Sequence, residues 1–122
     1  MKRKAWLLEP PRFDLSWLYK HYDVRFVIPD KDDARASVND PEKLWARIYK
    51  WAGLDFDTEN DLFVLTGNVT MLVVAVLAIQ EAWPEDWIGL LRYDTETSTY
   101  TEIRNEKIER ALHDNRDTKS RT

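Results

Sequence analysis

The sequence predicts a small three-layer α/β fold, in which helices cover both faces of a mostly parallel sheet of about five strands. Short β-branched and aromatic runs alternate with segments of helical periodicity, which implies parallel strands joined by right-handed crossovers. The 122 residues suffice for one domain with its own core. A short polar turn separates the last two strand-like runs and indicates an antiparallel hairpin at one edge. Such a sheet is Rossmann-like or flavodoxin-like.

The first two strands are predicted at residues 5–8 and 24–29. Both are short runs rich in apolar residues, and prolines close them. Between the two strands, Asp14 can cap a short helix that places Leu15 and Leu18 on one side. A polar loop with several aspartates follows the second strand and leads into the next helix.

The clearest helix is predicted over residues 41–52. Asp40 is a favoured N-cap residue, and Pro41 suits the first helical position because an N–H there would have no partner. Apolar side chains then recur at helical spacing at Leu44, Ile48 and Trp51. Gly53 is expected to end this helix, because glycine readily adopts the left-handed conformation of helix ends.

The second half of the chain is predicted to hold three strands and two helices. An apolar run at residues 62–66 is typical of a central strand, and residues 69–83 are expected to form a helix that ends before a proline. Strands are then expected at residues 87–93 and 99–103, joined by a polar turn. A last helix beginning at Asn105 would complete the domain.

Residues 62–80 carry no formal charge, and three structures compete for them. A membrane helix needs about 20 mostly apolar residues, whereas the purely apolar part, residues 71–79, is nine residues long. A hairpin turning at Gly67 and Asn68 stays open, because Gly-Asn is a turn signal and the valines favour strands. We favour a strand, a tight turn and a helix, because no period of two follows the turn.

The turn before this helix is the candidate ligand site. The free N–H groups of a helix's first turn carry partial positive charge and suit a phosphate, and ligands of open α/β sheets bind at this edge. If the second strand neighbours the third, aspartates after it would face the turn and could hold Mg²⁺ or a ribose hydroxyl. The predicted ligand-binding residues are Thr66, Gly67, Asn68, Thr70, Asp30, Asp32 and Arg12. The competing interpretation, a turn and a cap without a ligand, is favoured because every strand–helix unit needs such a turn.

The helix after the turn is apolar on every side. A helix in the outer layer of one small domain normally carries a polar stripe. Another element of the chain, such as the C-terminal helix, could cover it, or a second subunit could. We predict a homodimer or a contact with a protein partner through this helix. The predicted contact residues are Met71, Val74, Leu77 and Trp83.

The composition excludes several classes of function. The net charge is −4 and basic residues are scattered except at the two ends, which disfavours nucleic-acid binding. The chain has no cysteine, which excludes disulfides, thiol catalysis and cysteine-bound metals. His21 and His113 lie far apart, and no phosphate-loop or catalytic motif is present. We therefore predict no catalytic residues, no metal and no cofactor.

Two functions remain open from the sequence. The first is a non-enzymatic interaction protein that associates with itself or with a partner through the apolar helix. The second is a binder, or slow hydrolase, of a nucleotide or other phosphate ligand at residues 66–70. The missing motifs favour the first. The first apolar stretch is too short for a signal peptide, so we expect a cytoplasmic protein with one domain at residues 1–113 and a frayed charged tail at 114–122.

Overall fold

The computed structural model describes residues 2–11, 14–30, 39–66, 68–94 and 96–104. Within them lie the strands β1 (Lys4–Leu7), β2 (Asp23–Phe26), β3 (Leu62–Leu65), β4 (Gly89–Asp94) and β5 (Thr99–Arg104). They form one five-stranded sheet in the order β2-β1-β3-β4-β5. All neighbouring strands are parallel except the antiparallel pair of β4 and β5. The predicted α/β class, with a mostly parallel sheet and an antiparallel edge, is confirmed.

Three helices lie in the described part of the chain: α1 (Ser16–His21), α2 (Pro41–Asp55) and α3 (Val69–Ala82). On one face of the sheet, Leu18 of α1 packs in a cluster with Leu62 and Val64 of β3. On the other face, Phe63 joins the buried side chains of α2 and α3. Successive residues of β3 therefore point to opposite faces, and both faces are buried, as parallel sheets require.

The strand order places a topological switch point between β1 and β3. The chain continues from β1 to β2 on one side and from β3 to β4 on the other. This order is that of flavodoxin-like sheets, in which ligands bind at the carboxyl ends of the two central strands. The aspartates after β2 were expected to face the turn before α3 if β2 neighboured β3. It does not, because β1 lies between the two strands.

The long uncharged segment adopts the strand, turn and helix that the sequence favoured. β3 ends at Leu65 and α3 begins at Val69, so no hairpin forms at the intervening turn. Among the described residues, none of the helices combines the length and the apolarity that crossing a membrane would take. The helix predicted to begin at Asn105 and the tail at residues 114–122 lie outside the described residues.

The predicted helix stop at Gly53 is wrong, because α2 continues through this glycine to Asp55. The extra turn brings Phe56 to a position where its N–H donates to the Ala52 carbonyl oxygen at 3.3 Å. The Phe56 side chain is 3% exposed and lies in the core. Burying a phenylalanine contributes about 1.5–3 kcal/mol, more than the roughly 1 kcal/mol that glycine costs a helix relative to alanine.

We expect Gly53→Ala to raise the free energy of unfolding by about 0.5–1 kcal/mol, because alanine favours the helix. A Cβ atom at position 53 would meet no heavy atom within 4 Å. Urea unfolding followed by tryptophan fluorescence measures the change. Gly89→Ala is the matched control and should destabilise, since its Cβ would lie 2.6 Å from Cδ2 of Leu62. A loss of stability in Gly53→Ala would contradict an unstrained helical conformation at Gly53.

Candidate functional site

The predicted ligand edge lies at the start of α3. Asn68 is the N-cap residue, and its Oδ1 accepts a hydrogen bond from the Met71 N–H at 3.2 Å. This bond satisfies one N–H group of the first turn. Helix geometry leaves the N–H groups of Val69 and Thr70 without acceptors within the helix. Asn68 therefore caps α3, and the N–H groups of Val69 and Thr70 are left for other acceptors.

The structure describes four of the seven predicted ligand residues. Thr66 is half-buried after β3, while Asn68 and Thr70 are exposed at the start of α3. Asp30 is exposed after β2 and is separated from this turn by β1. The other three, Gly67, Asp32 and Arg12, lie outside the described residues. The fold thus brings the two threonines and Asn68 to one edge and places Asp30 beyond the neighbouring strand.

A second candidate site is an exposed apolar surface that spans α2 and α3. Val69, Val73 and Leu77 on α3 are 74%, 53% and 60% exposed. Their spacing of four residues aligns them in one row along the helix. Trp45 and Tyr49 on α2 are also exposed, and their rings stack with centroids 4.9 Å apart. We call these five residues the α2–α3 surface.

Two apolar grooves flank Leu77. The first has a volume of about 330 Å³ and is lined by Pro41, Glu42, Trp45, Val74 and Leu77. The second, of about 300 Å³, is formed by α3 and the end of β3 and is lined by Leu65, Leu72, Val73, Val76 and Leu77. Leu77 lines both grooves and forms the ridge between them. This relief fits another helix, because helices pack by inserting the ridges of one into the grooves of the other.

The four predicted contact residues are divided between the surface and the core. Leu77 is exposed and Val74 lines the first groove. Met71 is 1% exposed and packs in the core. Trp83 is half-buried, and its Nε1 donates to the Ala52 carbonyl oxygen at 2.8 Å. Trp83 therefore attaches the end of α3 to α2.

Sequence reasoning missed the other members of the α2–α3 surface. Val69 and Val73 precede Leu77 by eight and four residues, and this spacing alone could have placed them in its row. On α2, Trp45 and Tyr49 each follow a buried residue of the helical repeat by one position. A helical projection would therefore have placed both aromatic rings at the border of the buried face.

The amino-terminal edge of the sheet holds a buried carboxylate that the sequence did not single out. Asp61 directly precedes β3 and is 5% exposed. Its Oδ2 accepts hydrogen bonds from Trp6 Nε1 and from the Asp57 N–H, both at 3.0 Å. The Trp6 ring also meets the Trp51 ring edge-on, with centroids 5.0 Å apart. Asp61 and Trp6 together connect β1, the loop before β3, and α2.

A polar cavity of about 390 Å³ opens beside this carboxylate and is lined by Lys2, Arg3, Lys4, Asp57, Asn60 and Asp61. The Arg3 side chain donates to the Asn60 carbonyl oxygen at 2.9 Å and forms an ion pair with Glu102 at 3.0 Å. Hydrogen bonds from the Asn60 side chain and the Glu59 N–H lower the pKa of the Asp57 carboxyl. In the described part of the chain, no three histidine or carboxylate side chains are grouped to hold a metal ion. Hydrogen bonds join Arg3, Asp57, Asn60 and Asp61 around the cavity, so we assign these residues a structural role.

Comparison of the chain with known protein families, with curated proteins and with solved structures finds no match. The chain thus offers two candidate sites for a function, the α2–α3 surface and the carboxyl edge of the sheet.

Proposed function

We propose that this chain is a small interaction protein that associates with a second copy of itself through the α2–α3 surface. The observation that carries the proposal is the exposed row of Val69, Val73 and Leu77 on a helix without a polar stripe. A helix in an outer layer normally turns polar side chains to water. Isolated exposed apolar residues are common, but contiguous apolar patches mark contact sites.

The size of the surface supports association energetically. Burying one fully exposed valine or leucine side chain contributes about 1.5–3 kcal/mol, and less for one that is already partly covered. In a two-fold contact the same patch is used in both copies. The Trp45 and Tyr49 rings add the large aromatic area that is common at interface centres. Association itself costs about 4–15 kcal/mol, so many side chains must be buried together. The row on α3 and the stacked pair on α2 provide five exposed apolar side chains in each copy.

Sedimentation velocity of the wild-type protein tests this function. We expect a reversible shift from monomer to dimer between about 1 and 500 µM, a range that covers micromolar to sub-millimolar dissociation constants. The buffer should contain moderate salt, so that apolar contacts rather than weak surface charges dominate. A strict monomer over the whole concentration range would contradict the proposal.

A second candidate function is the binding of a nucleotide or other phosphate ligand at the turn before α3. The observation that favours it is the strand order, which places this turn at the switch point between β1 and β3. The Val69 and Thr70 N–H groups at the start of α3 would be the donors to a phosphate. Binding alone is supported; a hydrolytic reaction would need further groups at this edge.

The Asn68 cap allows a matched test of this second function. We expect Asn68→Ala to lose about 1 kcal/mol of stability with the lost cap, and Asn68→Asp to keep the cap. If phosphate binds, saturating inorganic phosphate or nucleotide should raise the wild-type melting temperature. The carboxylate of Asn68→Asp should repel phosphate and remove this shift while leaving the unliganded stability intact. No shift in the wild type, or an equal shift in Asn68→Asp, would exclude a phosphate site here.

A further inference from the structure

We infer that the two copies pair through the exposed rows of antiparallel α3 helices, with the two-fold axis crossing the row midway between Val73 and Leu77 and with Glu81 fixing the orientation. The inference rests on the proposed self-association and adds its geometry. Val73 and Leu77 lie two residues on either side of Ala75, and Val69 and Glu81 lie six residues on either side. All four of these outer positions are exposed and belong to one row with a spacing of four.

The single charged residue of α3 lies at the end of the helix where the helix dipole disfavours it. The amino-terminal end of a helix carries partial positive charge and favours acidic side chains, whereas the carboxyl-terminal end favours basic ones. The first turn of α3 contains no acidic residue and the last turn no basic residue. The one charged side chain of the helix, Glu81, lies in the last turn, where the dipole disfavours it. The helix itself thus carries no charge that compensates the dipole at either end.

An antiparallel second copy supplies that compensation at both ends. With the two-fold axis midway between Val73 and Leu77, Glu81 approaches the first turn of the partner's α3, where the N–H groups at positions 69 and 70 have no acceptor within the helix. The same contact is repeated at the other end by symmetry. A parallel pairing would instead bring the two Glu81 carboxylates together at the negative ends of both helices. The charge distribution therefore selects the antiparallel arrangement.

The ridge at Leu77 and the grooves beside it also fit an antiparallel pair of α3 helices. The symmetry places Val73 opposite the partner's Leu77, so each copy contributes one ridge and receives the other. The groove between α2 and α3 includes the Trp45 ring and can accommodate an aliphatic side chain. Because the two-fold axis pairs the same surface of both copies, the contact is closed after two copies. A dimer, rather than an open chain, follows from this geometry.

Cysteine crosslinking tests the orientation directly, because the wild-type chain contains no cysteine. Val73→Cys and Leu77→Cys are purified separately, shown by sedimentation to dimerise, mixed in equal amounts and oxidised gently. In an antiparallel dimer the mixed disulfide should exceed the share that random pairing gives. Disulfides between identical positions are then disfavoured, because four residues shift the two sulfurs by about 6 Å along the helix.

The outcomes separate the orientation from the self-association itself. A wild-type monomer would overturn the proposed function and the inference together. A wild-type dimer whose variants give mainly disulfides between identical positions, or none, would overturn the antiparallel arrangement and leave self-association standing. Mass spectrometry of the oxidised products distinguishes the mixed species from the symmetric ones.

The direction in which Glu81→Gln changes the dissociation constant is a second, independent test of the orientation. In the antiparallel dimer, Glu81→Gln removes two favourable contacts with helix amino-termini and should raise the dissociation constant about 3- to 30-fold. In a parallel dimer the same change removes a repulsion and should lower the constant. Glu85→Gln, an exposed residue beyond the end of α3, is the matched control and should change little. Tighter association of Glu81→Gln would overturn the inference.

Discussion

Leu77→Lys is expected to convert the dimer into a monomer, raising the dissociation constant by about 1,000-fold or more. Leu77 is 60% exposed in the monomer and lines the two apolar grooves on either side of it. In the dimer it lies opposite the partner's Val73, so a lysine there would lose hydration against apolar side chains. An i,i+4 pair with Glu81 would return only about 0.2–0.5 kcal/mol. Truncating a central interface residue costs about 2 kcal/mol or more of binding free energy. In a two-fold dimer the residue is lost from both copies, so the cost occurs twice.

The fold of the monomer should tolerate this substitution. Changes at exposed positions away from special structural features usually alter stability by less than about 0.5 kcal/mol. Leu54→Lys is the matched control, because Leu54 is 74% exposed on α2 but lies on the opposite side of that helix from Trp45. Sedimentation velocity should show a dimer for the control and a monomer for Leu77→Lys. Dissociation of both variants, or of neither, would contradict the assigned surface.

Local chemistry accounts for the elements that could be predicted from the sequence. Asp40 and Asn68 cap α2 and α3 as their side chains predict, since an N-cap needs only the residue and the turn that follows it. The predicted helix end at Gly53 was wrong because the tendency of glycine to end a helix is outweighed by the burial of Phe56. That burial depends on the packed core, which no local pattern contains.

The candidate surface was only partly predictable, for a related reason. α3 is apolar on every side, so the sequence offered no polar stripe from which to orient it. The prediction therefore included Leu77, which is exposed, together with Met71, which is in the core. The orientation is set by the packing of α3 against the sheet and α2, a contact between residues distant in sequence. Strand order is non-local in the same way, and it decides which loops meet at the switch point.

Asp61→Ala is expected to lower the free energy of unfolding by about 3 kcal/mol, within a range of about 2–5. The substitution leaves the Trp6 Nε1–H and the Asp57 N–H without their acceptor. A hydrogen bond to a charged group contributes about 1.5–3 kcal/mol, and a buried unsatisfied donor costs a further penalty. Because Trp6 also packs against Trp51, its release would loosen the junction of β1 with α2. A loss of this size should lower the melting temperature by more than about 10 °C.

The comparison of three variants separates hydrogen bonding from general surface effects. Asp61→Asn keeps one carbonyl-type acceptor and should lose about half as much stability as Asp61→Ala. Glu59→Ala removes an exposed acidic side chain of the same loop and should change stability by less than about 0.5 kcal/mol. Urea unfolding must be compared at one protein concentration, because self-association stabilises the folded state. A loss below about 1 kcal/mol in Asp61→Ala would mean that water replaces the carboxylate. In that case water in the polar cavity beside Asp61 would accept the hydrogen bonds of the Trp6 Nε1–H and the Asp57 N–H.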